Sequence, residues 1–493
     1  MRVRLPGKLL FPVIPLACAL ALAACGTGRD SAVPVAVIGA LPGTTAAARG
    51  GMAGQLVRSA TAEGLVGFDE EGRVVPALAD RWTVTDDGQS YIFRLRDGTW
   101  PDGSAITGET ARAALLQALA QQRGTAFGLD LGAIAEVRAM AGRVVELRLS
   151  RPEPDLLQLL AQPELGLLRQ GQGAGPMRGT WHRGWLALRP VPPAERGMPQ
   201  DEDWDARARQ VELHGLSAAN AIARFNEGSM AVVLGGRIED FPRIDIGGVS
   251  RGAIRFDQVV GLFGLAVTHA DGFLAAPANR EALALAIDRE GLVGAFGLGN
   301  WTQTTRLVTP GIAGDGGAVG ERWQALDLAA RQAEAARRVA AWRGAGRPQP
   351  TLRIALPVGP GGDVLFRRLA ADFSAVGLAA TRVGPAAPAD LRLLDRVAPY
   401  ARPAWFLNQL SCAASRGLCD SSADALAAQA LAEPDPAIQA DLTAEAEARL
   451  TQANTFIPFG APIRWSLVSG GVTGFAVNHW GVHPLMPLAM RPK

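Results

Sequence analysis

Only two lysines occur in this chain, Lys8 and Lys493, one near each end; every other basic residue is arginine. A Walker-type phosphate loop needs a lysine after its glycines. A pyridoxal Schiff base needs a lysine nucleophile, and a Ser–Lys hydrolase needs a lysine base. The interior of the chain supplies none of these. It also lacks a G-x-S-x-G elbow and an H-E-x-x-H pair. The five histidines are scattered at His182, His214, His269, His479 and His483. His479 and His483 would face one metal if they lay on a helix, but Gly481 and Pro484 argue against a helix there. Gly359-Pro360-Gly361-Gly362 stands between a strand pattern and a helix pattern, as phosphate loops do. Without a lysine or the G-x-G-x-x-G order, it reads as a tight turn. Asp69-Glu70-Glu71 before Gly72 reads as a solvated hairpin tip. The expectation is no catalytic residue, no metal and no cofactor.

The cysteines point to export. Arg2, Arg4 and Lys8 precede an apolar stretch, Leu9 to Ala24, that holds Pro12 and Pro15 and is too short to span a bilayer. It ends in Leu22-Ala23-Ala24-Cys25-Gly26, a small-residue cleavage site followed at once by Cys. This pattern resembles a bacterial lipoprotein signal. Residues 1–24 would be removed and Cys25 lipidated, with 25–30 as anchor and linker; two acyl chains hold a protein stably on a membrane. Cys18 would leave with the signal. Cys412 and Cys419 then form a single pair in an oxidising compartment. A disulfide across so short a loop contributes about 2.5 kcal/mol in the chain-entropy picture. The alternative is two buried thiols. No other stretch is long and apolar enough for a membrane span.

The formal charge is +2 over 493 residues, and the leader carries three of the positives and no acid. The remainder is close to neutral, which argues against nucleic acid as a partner. At 48% apolar and 19% charged, the chain is globular and long enough for two or three domains. Val33 to Ile38 reads as a strand. Short strands flank Asp86-Asp87-Gly88, a hairpin turn signal. Thr107 is an N-cap for a helix running to about Gln122, with Ala111, Ala114, Leu115, Ala118 and Leu119 on one face. Val144 to Leu149 alternates as a strand, and Gly171 to Pro199 reads as irregular or β structure. Beyond these, helices are expected at Pro277–Phe296, Glu321–Arg343, Asp363–Ala375, Ser421–Leu431 and Pro436–Gln452. Strands are expected at Thr351–Leu356 and Asp390–Val397. A strand–helix–strand rhythm predicts an α/β fold, a sheet with covering helices.

Several segments, in order, carry a resemblance. Glu63-Gly64-Leu65-Val66-Gly67-Phe68-Asp69 is followed by Val75-Pro76-Ala77-Leu78-Ala79-Asp80-Arg81-Trp82. Tyr91-Ile92-Phe93-Arg94-Leu95-Arg96-Asp97-Gly98 and Trp100-Pro101-Asp102-Gly103-Ser104 come next. Gly173-Ala174-Gly175-Pro176-Met177, Ala286-Ile287-Asp288-Arg289-Glu290, Leu307-Val308-Thr309-Pro310-Gly311 and Val472-Thr473-Gly474-Phe475 follow. Together these resemble the extracellular solute-binding proteins of family 5, the dipeptide, oligopeptide and nickel receptors of bacterial ABC importers, over roughly residues 60–488. The resemblance implies a two-lobed periplasmic-binding-protein fold (type II, peptide-receptor-like) with a hinge. Lobe I would hold residues 31–258 plus 463–493, with a small subdomain at about 60–165, and lobe II residues 259–462. A ligand would be enclosed as the lobes close.

One stretch departs from the family. The peptide receptors carry an Asp-Tyr-Pro-Asp-Pro-like segment whose acid can pair the ligand's amino terminus. Aligning Pro403 and Phe406 puts Pro399 where that acid would be and Arg402 where a second often lies. A free Arg402 would favour an anionic ligand; alternatively, Arg402 forms a salt bridge on the surface. By position, Phe127, Trp301, Tyr400, Arg402, Trp405, Asn408 and Gln409 are the candidate ligand-binding residues, the aromatics offering flat apolar walls with a polar handle. For the aromatics, core packing is the competing role. The resemblance implies a monomeric, lipid-anchored receptor on the periplasmic side of the envelope that captures a peptide-like or other small solute and presents it to an ABC permease. A receptor-fold lipoprotein without transport, a sensor or envelope-assembly factor, is the alternative.

Overall fold

The computed structural model describes residues 32–42, 51–244, 252–299, 301–344 and 346–492; the expected leader, residues 1–24, and Cys25 lie outside them. Two large sheets dominate. The first has seven strands in the order Ile254–Asp257, Arg464–Val468, Val232–Gly236, Ala32–Ile38, Gln210–Leu216, Trp185–Pro190, Met177–His182. Ala32–Ile38 runs parallel to both its neighbours, as covered α/β sheets do. Gly171–Pro199, ambiguous in the sequence, supplies the antiparallel pair Met177–His182 and Trp185–Pro190 at its edge. The second sheet has five strands in the order Ala379–Val383, Thr351–Ala355, Leu391–Val397, Gly261–Val267, Phe456–Gly460. The chain passes from the first sheet to the second between Asp257 and Gly261 and returns between Gly460 and Arg464.

A smaller antiparallel sheet has the order Ala79–Val84, Ser90–Leu95, Val144–Leu149, Ile134–Met140. Helix Gly108–Gln122 covers it. Thr107 accepts from the Thr110 amide, and Thr110 answers with its hydroxyl, a reciprocal cap. Ala111, Ala114, Leu115 and Ala118 face the sheet and meet Phe93, Leu95 and Leu147. The same apolar cluster continues into Leu262, Leu394, Trp405, Phe406 and Leu450. The small layer therefore packs on the helices that follow the five-stranded sheet.

Two helices differ from expectation for identifiable reasons. Pro277–Phe296 divides into Pro277–Ala286 and Arg289–Gly294. Asp288 takes an extended conformation and caps the second helix through Gly291, while its own amide donates to Asp372. The Arg289 guanidinium turns inward to the carbonyls of Pro458 and Ala284. The helix expected from Glu321 begins at Leu328, capped by Asp327. Glu321 is held away by Thr304 and Thr305, and Trp323 sits at φ +55°, outside helical geometry. The acidic hairpin tip is not simply solvated, because Trp480 Nε1 donates to the Gly72 carbonyl and Asn478 to that of Glu70. Among the described residues no helix is long and apolar enough to cross a membrane.

Candidate ligand site

The two large sheets meet around one buried carboxylate. Asp395, on strand Leu391–Val397, pairs with Phe263 in the ladder and projects its side chain toward the seven-stranded sheet. There it accepts from Arg237 Nη2 at 2.9 Å and pairs with Arg464 Nη1 at 2.9 Å. Burial works to raise the Asp395 carboxyl, but the charges of Arg464 and Arg237 outweigh it and hold it below its ordinary value. Arg237 is positioned by its neighbours. Its carbonyl accepts from Trp465 Nε1, and Gly236 leaves room for the Trp465 ring, which a Cβ would strike. A second contact comes from the glycine run. The Gly361 amide donates to the Glu239 carbonyl at 2.8 Å, and a Cβ at Gly361 would collide with the Ile238 carbonyl. Gly359-Pro360-Gly361-Gly362 is thus a close approach of one sheet's helix to the other sheet's edge.

A cavity of about 730 Å³ lies where the small layer meets the helices of the five-stranded side. The segment Ser150–Asp155 and the end of helix Ala126–Asp130 form one wall. Tyr400, Arg402 and Asn408, with helices Ser421–Ala432 and Pro436–Ala453, form the other. Thr125 caps the short helix and fixes Asp130 at its end. Pro403 sits at the first turn of helix Pro403–Leu410, whose second turn carries Asn408. The walls are joined by polar contacts. Tyr400 Oη donates to Asp130 Oδ1 at 2.9 Å, Asn408 Nδ2 donates to the same oxygen at 2.8 Å, and Arg402 Nε donates to Asp155 Oδ2 at 2.8 Å.

Burial pushes the Asp130 carboxyl up to about 7, against the downward pull of the Asn408 and Tyr400 hydrogen bonds, and Glu153 adds to the rise. Asp130 is only 4% exposed, and its Oδ2 has no hydrogen-bond partner. Burial and the nearby Asp155 also raise the Glu153 carboxyl. Burial lifts the Tyr400 phenol well above its ordinary value, with the Asp130 charge next in weight. The lining carries four carboxylates, Asp130, Glu153, Asp155 and Glu433, against two guanidiniums, Arg151 and Arg402. Leu129, Leu407 and Leu431 add apolar surface.

Of the residues expected from sequence, Tyr400, Arg402 and Asn408 come together in this cavity. The others lie in packing positions. Trp405 is buried edge-on to Phe406, and Phe127 rests against the same core. Gln409 is buried on helix Pro403–Leu410 outside the cavity lining. Trp301 stands at the sheet junction, edge-on to Phe263, with Nε1 donating to the Ala461 carbonyl at 2.6 Å. The free cation considered for Arg402 is corrected by its pairing with Asp155. Asp130, Glu153 and Asp155 were missed; their only sequence signal was polar residues next to Phe127 and among the prolines at 152 and 154. Cys412 and Cys419 form a disulfide beyond the helix, with Cα atoms 5.0 Å apart. His479 and His483 do not converge: His479 meets the Gln258 carbonyl and His483 pairs with Asp257.

Residues 73–180 match the family described as bacterial extracellular solute-binding proteins, family 5 Middle. A probable deoxycholate-binding periplasmic protein of Escherichia coli, YgiS, is 36% identical over 125 residues, 21% of this chain and 23% of the relative. A putative ABC transporter peptide-binding protein of Brucella ovis is 29% identical over 101 residues, 20% and 19% of the two chains. The chain thus aligns with only about a fifth of the length of these curated relatives. Solved structures match over the whole fold. The murein tripeptide binding protein MppA of Escherichia coli matches with a TM-score of 0.80 at 17% identity, over 94% of this chain and 99% of that one. OppA of Haemophilus influenzae, in complex with the peptide RPPGFSPFR, matches at 0.79 and 17% identity, over 93% and 98%. The unliganded open form of MppA matches at 0.61 and 17% identity, over 91% and 94%. The relatives and solved structures are named as binding proteins, and the chain shares the fold of the solved ones. Residues 73–180 are thus similar to the middle region of the family 5 solute-binding proteins, and the whole architecture is similar to that of the peptide receptors.

Proposed function

We propose that this protein is the substrate-binding component of an ABC importer. It captures a peptide-like or other small solute on the periplasmic side of the envelope and delivers it to the permease, without chemical change to the solute. Residues 32–258 and 463–492 act as one lobe and 259–462 as the other, with hinges at the two chain crossings near Val260 and Pro462. Cys25, outside the described residues, anchors a monomer to the membrane through lipid.

The observation that carries this reading is the pair of MppA comparisons: 0.80 for one structure and 0.61 for its unliganded open form. A hinge difference lowers a whole-chain match in this way while each lobe's own fold is kept. The clasp of Asp395 by Arg237 and Arg464 across the sheets supports reading the present arrangement as the apposed one. The test is native mass spectrometry of the protein purified from its host, followed by small-angle scattering with and without the solute found. A co-purified solute whose removal enlarges the radius of gyration is the expected result. A protein carrying no solute, with the same dimensions in every condition, would sink the proposal.

A further inference from the structure

Asp130 is buried where the two walls of the cavity meet. Its hydrogen-bond donors, Tyr400 and Asn408, lie 270 and 278 residues further along the chain, on the opposite wall, and both bind the same oxygen, Oδ1. Oδ2 is sealed from solvent and has no partner. Among the described residues no guanidinium pairs with Asp130, since Arg402 on the facing wall is taken by Asp155. A carboxyl in this position is costly to hold as an anion and much less costly to hold neutral. Parting the walls would remove both donors and the cover together. The side chain would then return to water, where an ordinary Asp is ionised above about pH 4. With the walls together, burial lifts the carboxyl to about 7.

The surroundings act in the same direction. Segment Ser150–Asp155 brings Arg151, Glu153 and Asp155; the loop before helix Pro403–Leu410 brings Tyr400 and Arg402; Glu433 follows helix Ser421–Ala432. Glu153 opposes a negative charge on Asp130, and its own carboxyl is raised by burial. Arg402 and Asp155 neutralise each other. The Tyr400 phenol, raised well above its ordinary value, stays neutral and donates.

We infer that closure of the two lobes is coupled to uptake of one proton by Asp130, so that acid favours the closed form and rising pH favours opening. The inference rests on the two-lobed receptor reading above and adds its regulation. The proton comes from solvent and sits on Oδ2, because Oδ1 already accepts two donors. The closed form gains a group whose affinity for protons is raised, so its advantage is full below the open-state value and is lost as pH rises through the closed-state one. By reciprocity, a solute that holds the lobes together also holds the proton.

The test uses the purified full chain with spin labels at two exposed positions, Met140→Cys on the small layer and Ile438→Cys on helix Pro436–Ala453, and reads the distance between the walls by pulsed electron spin resonance. The closed-to-open ratio should fall by up to about tenfold per pH unit from pH 5 to 7 and level off by pH 8. Asp130→Asn keeps an oxygen for Tyr400 and Asn408 but has no charge to bury, and its ratio should not change over this range. Glu153→Gln should keep the transition and move it to lower pH. A transition that survives in Asp130→Asn, or vanishes in Glu153→Gln, assigns the proton to another group and overturns the inference. Two distances whose proportions ignore pH overturn it too, and leave the two-lobed reading standing. A single distance at every pH also overturns it, and the solute-binding reading then rests on the co-purified solute sought above.

Discussion

Asp395→Asn tests whether charge holds the two large sheets together. The carboxylate belongs to the five-stranded sheet; Arg464 belongs to the seven-stranded sheet, and Arg237 directly follows one of its strands. The Asp395 side chain is 5% exposed and that of Arg464 9%, so neither can turn to solvent without moving a sheet. Removing one partner of such a pair costs about 3–5 kcal/mol, mostly because the other charge stays buried. Arg237 is 42% exposed, and its share is no more than about 1 kcal/mol after screening. The amide oxygen still accepts one hydrogen bond, which returns roughly 1 kcal/mol. The expected loss is therefore about 3–4 kcal/mol, well over a hundredfold in the folding equilibrium. Urea unfolding followed by tryptophan fluorescence reads this directly, since Trp465 hydrogen-bonds to the Arg237 carbonyl. The Asp395 pKa is lowered in the folded state, so its stabilisation is present above the unfolded value and is lost as pH falls through the folded one. The gap between parent and variant should close in acid. Asp395→Asn combined with Arg464→Met should recover stability relative to the single variant, because the buried Arg464 charge is gone and the more exposed Arg237 keeps Glu239. A loss below about 1 kcal/mol at pH 7.5, or strict additivity in the double variant, would refute the reasoning.

Arg306 bridges Asp315 and Glu447, all three side chains under 9% exposed, so Arg306→Ala should cost about 3–5 kcal/mol; an unchanged melting temperature would show that Glu447 is neutral in the parent. Gly236→Ala drives a methyl group into the Trp465 ring, and overpacking of this kind costs about 1–3 kcal/mol; a crystal structure with Trp465 unmoved would contradict the steric argument. Reduction of Cys412–Cys419 should lower stability by about 2.5 kcal/mol, measured by unfolding with and without dithiothreitol, whereas identical midpoints would mean the loop is held without the bond. Asp130 has a folded-state pKa raised to about 7, so between about pH 4 and 7 the folded state binds more protons than the unfolded one and stability falls as pH rises. The rise from the ordinary carboxylate value to about 7 sets a ceiling of about 4 kcal/mol on that slope, which Asp130→Asn should abolish; parallel pH–stability curves would exclude a buried titrating carboxyl.

Elements with local determinants were readable. Thr107 is followed at once by its helix, with apolar residues at helical spacing, and the helix appears where the cap puts it. The strands at 32–38, 144–149 and 391–397 carry their own alternation or apolar runs. The misread boundaries had non-local causes. Glu321 has good helix propensity, yet Thr304 and Thr305 claim its carboxylate from another loop. Arg289 breaks a continuous helical pattern because its guanidinium is needed under Pro458, 169 residues away. Propensity is summed over neighbours along the chain, so it is blind to such claims.

The candidate site obeys the same rule more severely. Tyr400, Arg402 and Asn408 were visible because one family-like stretch carries all three. Their partners lie 247 to 278 residues away, on another layer, and no spacing rule links them. That distance also changes what the stretch means. Pro399 in place of an acid, and Arg402 beside it, read along the chain as a reversal of charge preference toward anions. In space the reversal is undone: Asp155 cancels Arg402, and Asp130 brings a carboxylate to the same cavity from the opposite wall. A binding site selects the sum of charges around a volume, and a motif records only those charges that share a segment.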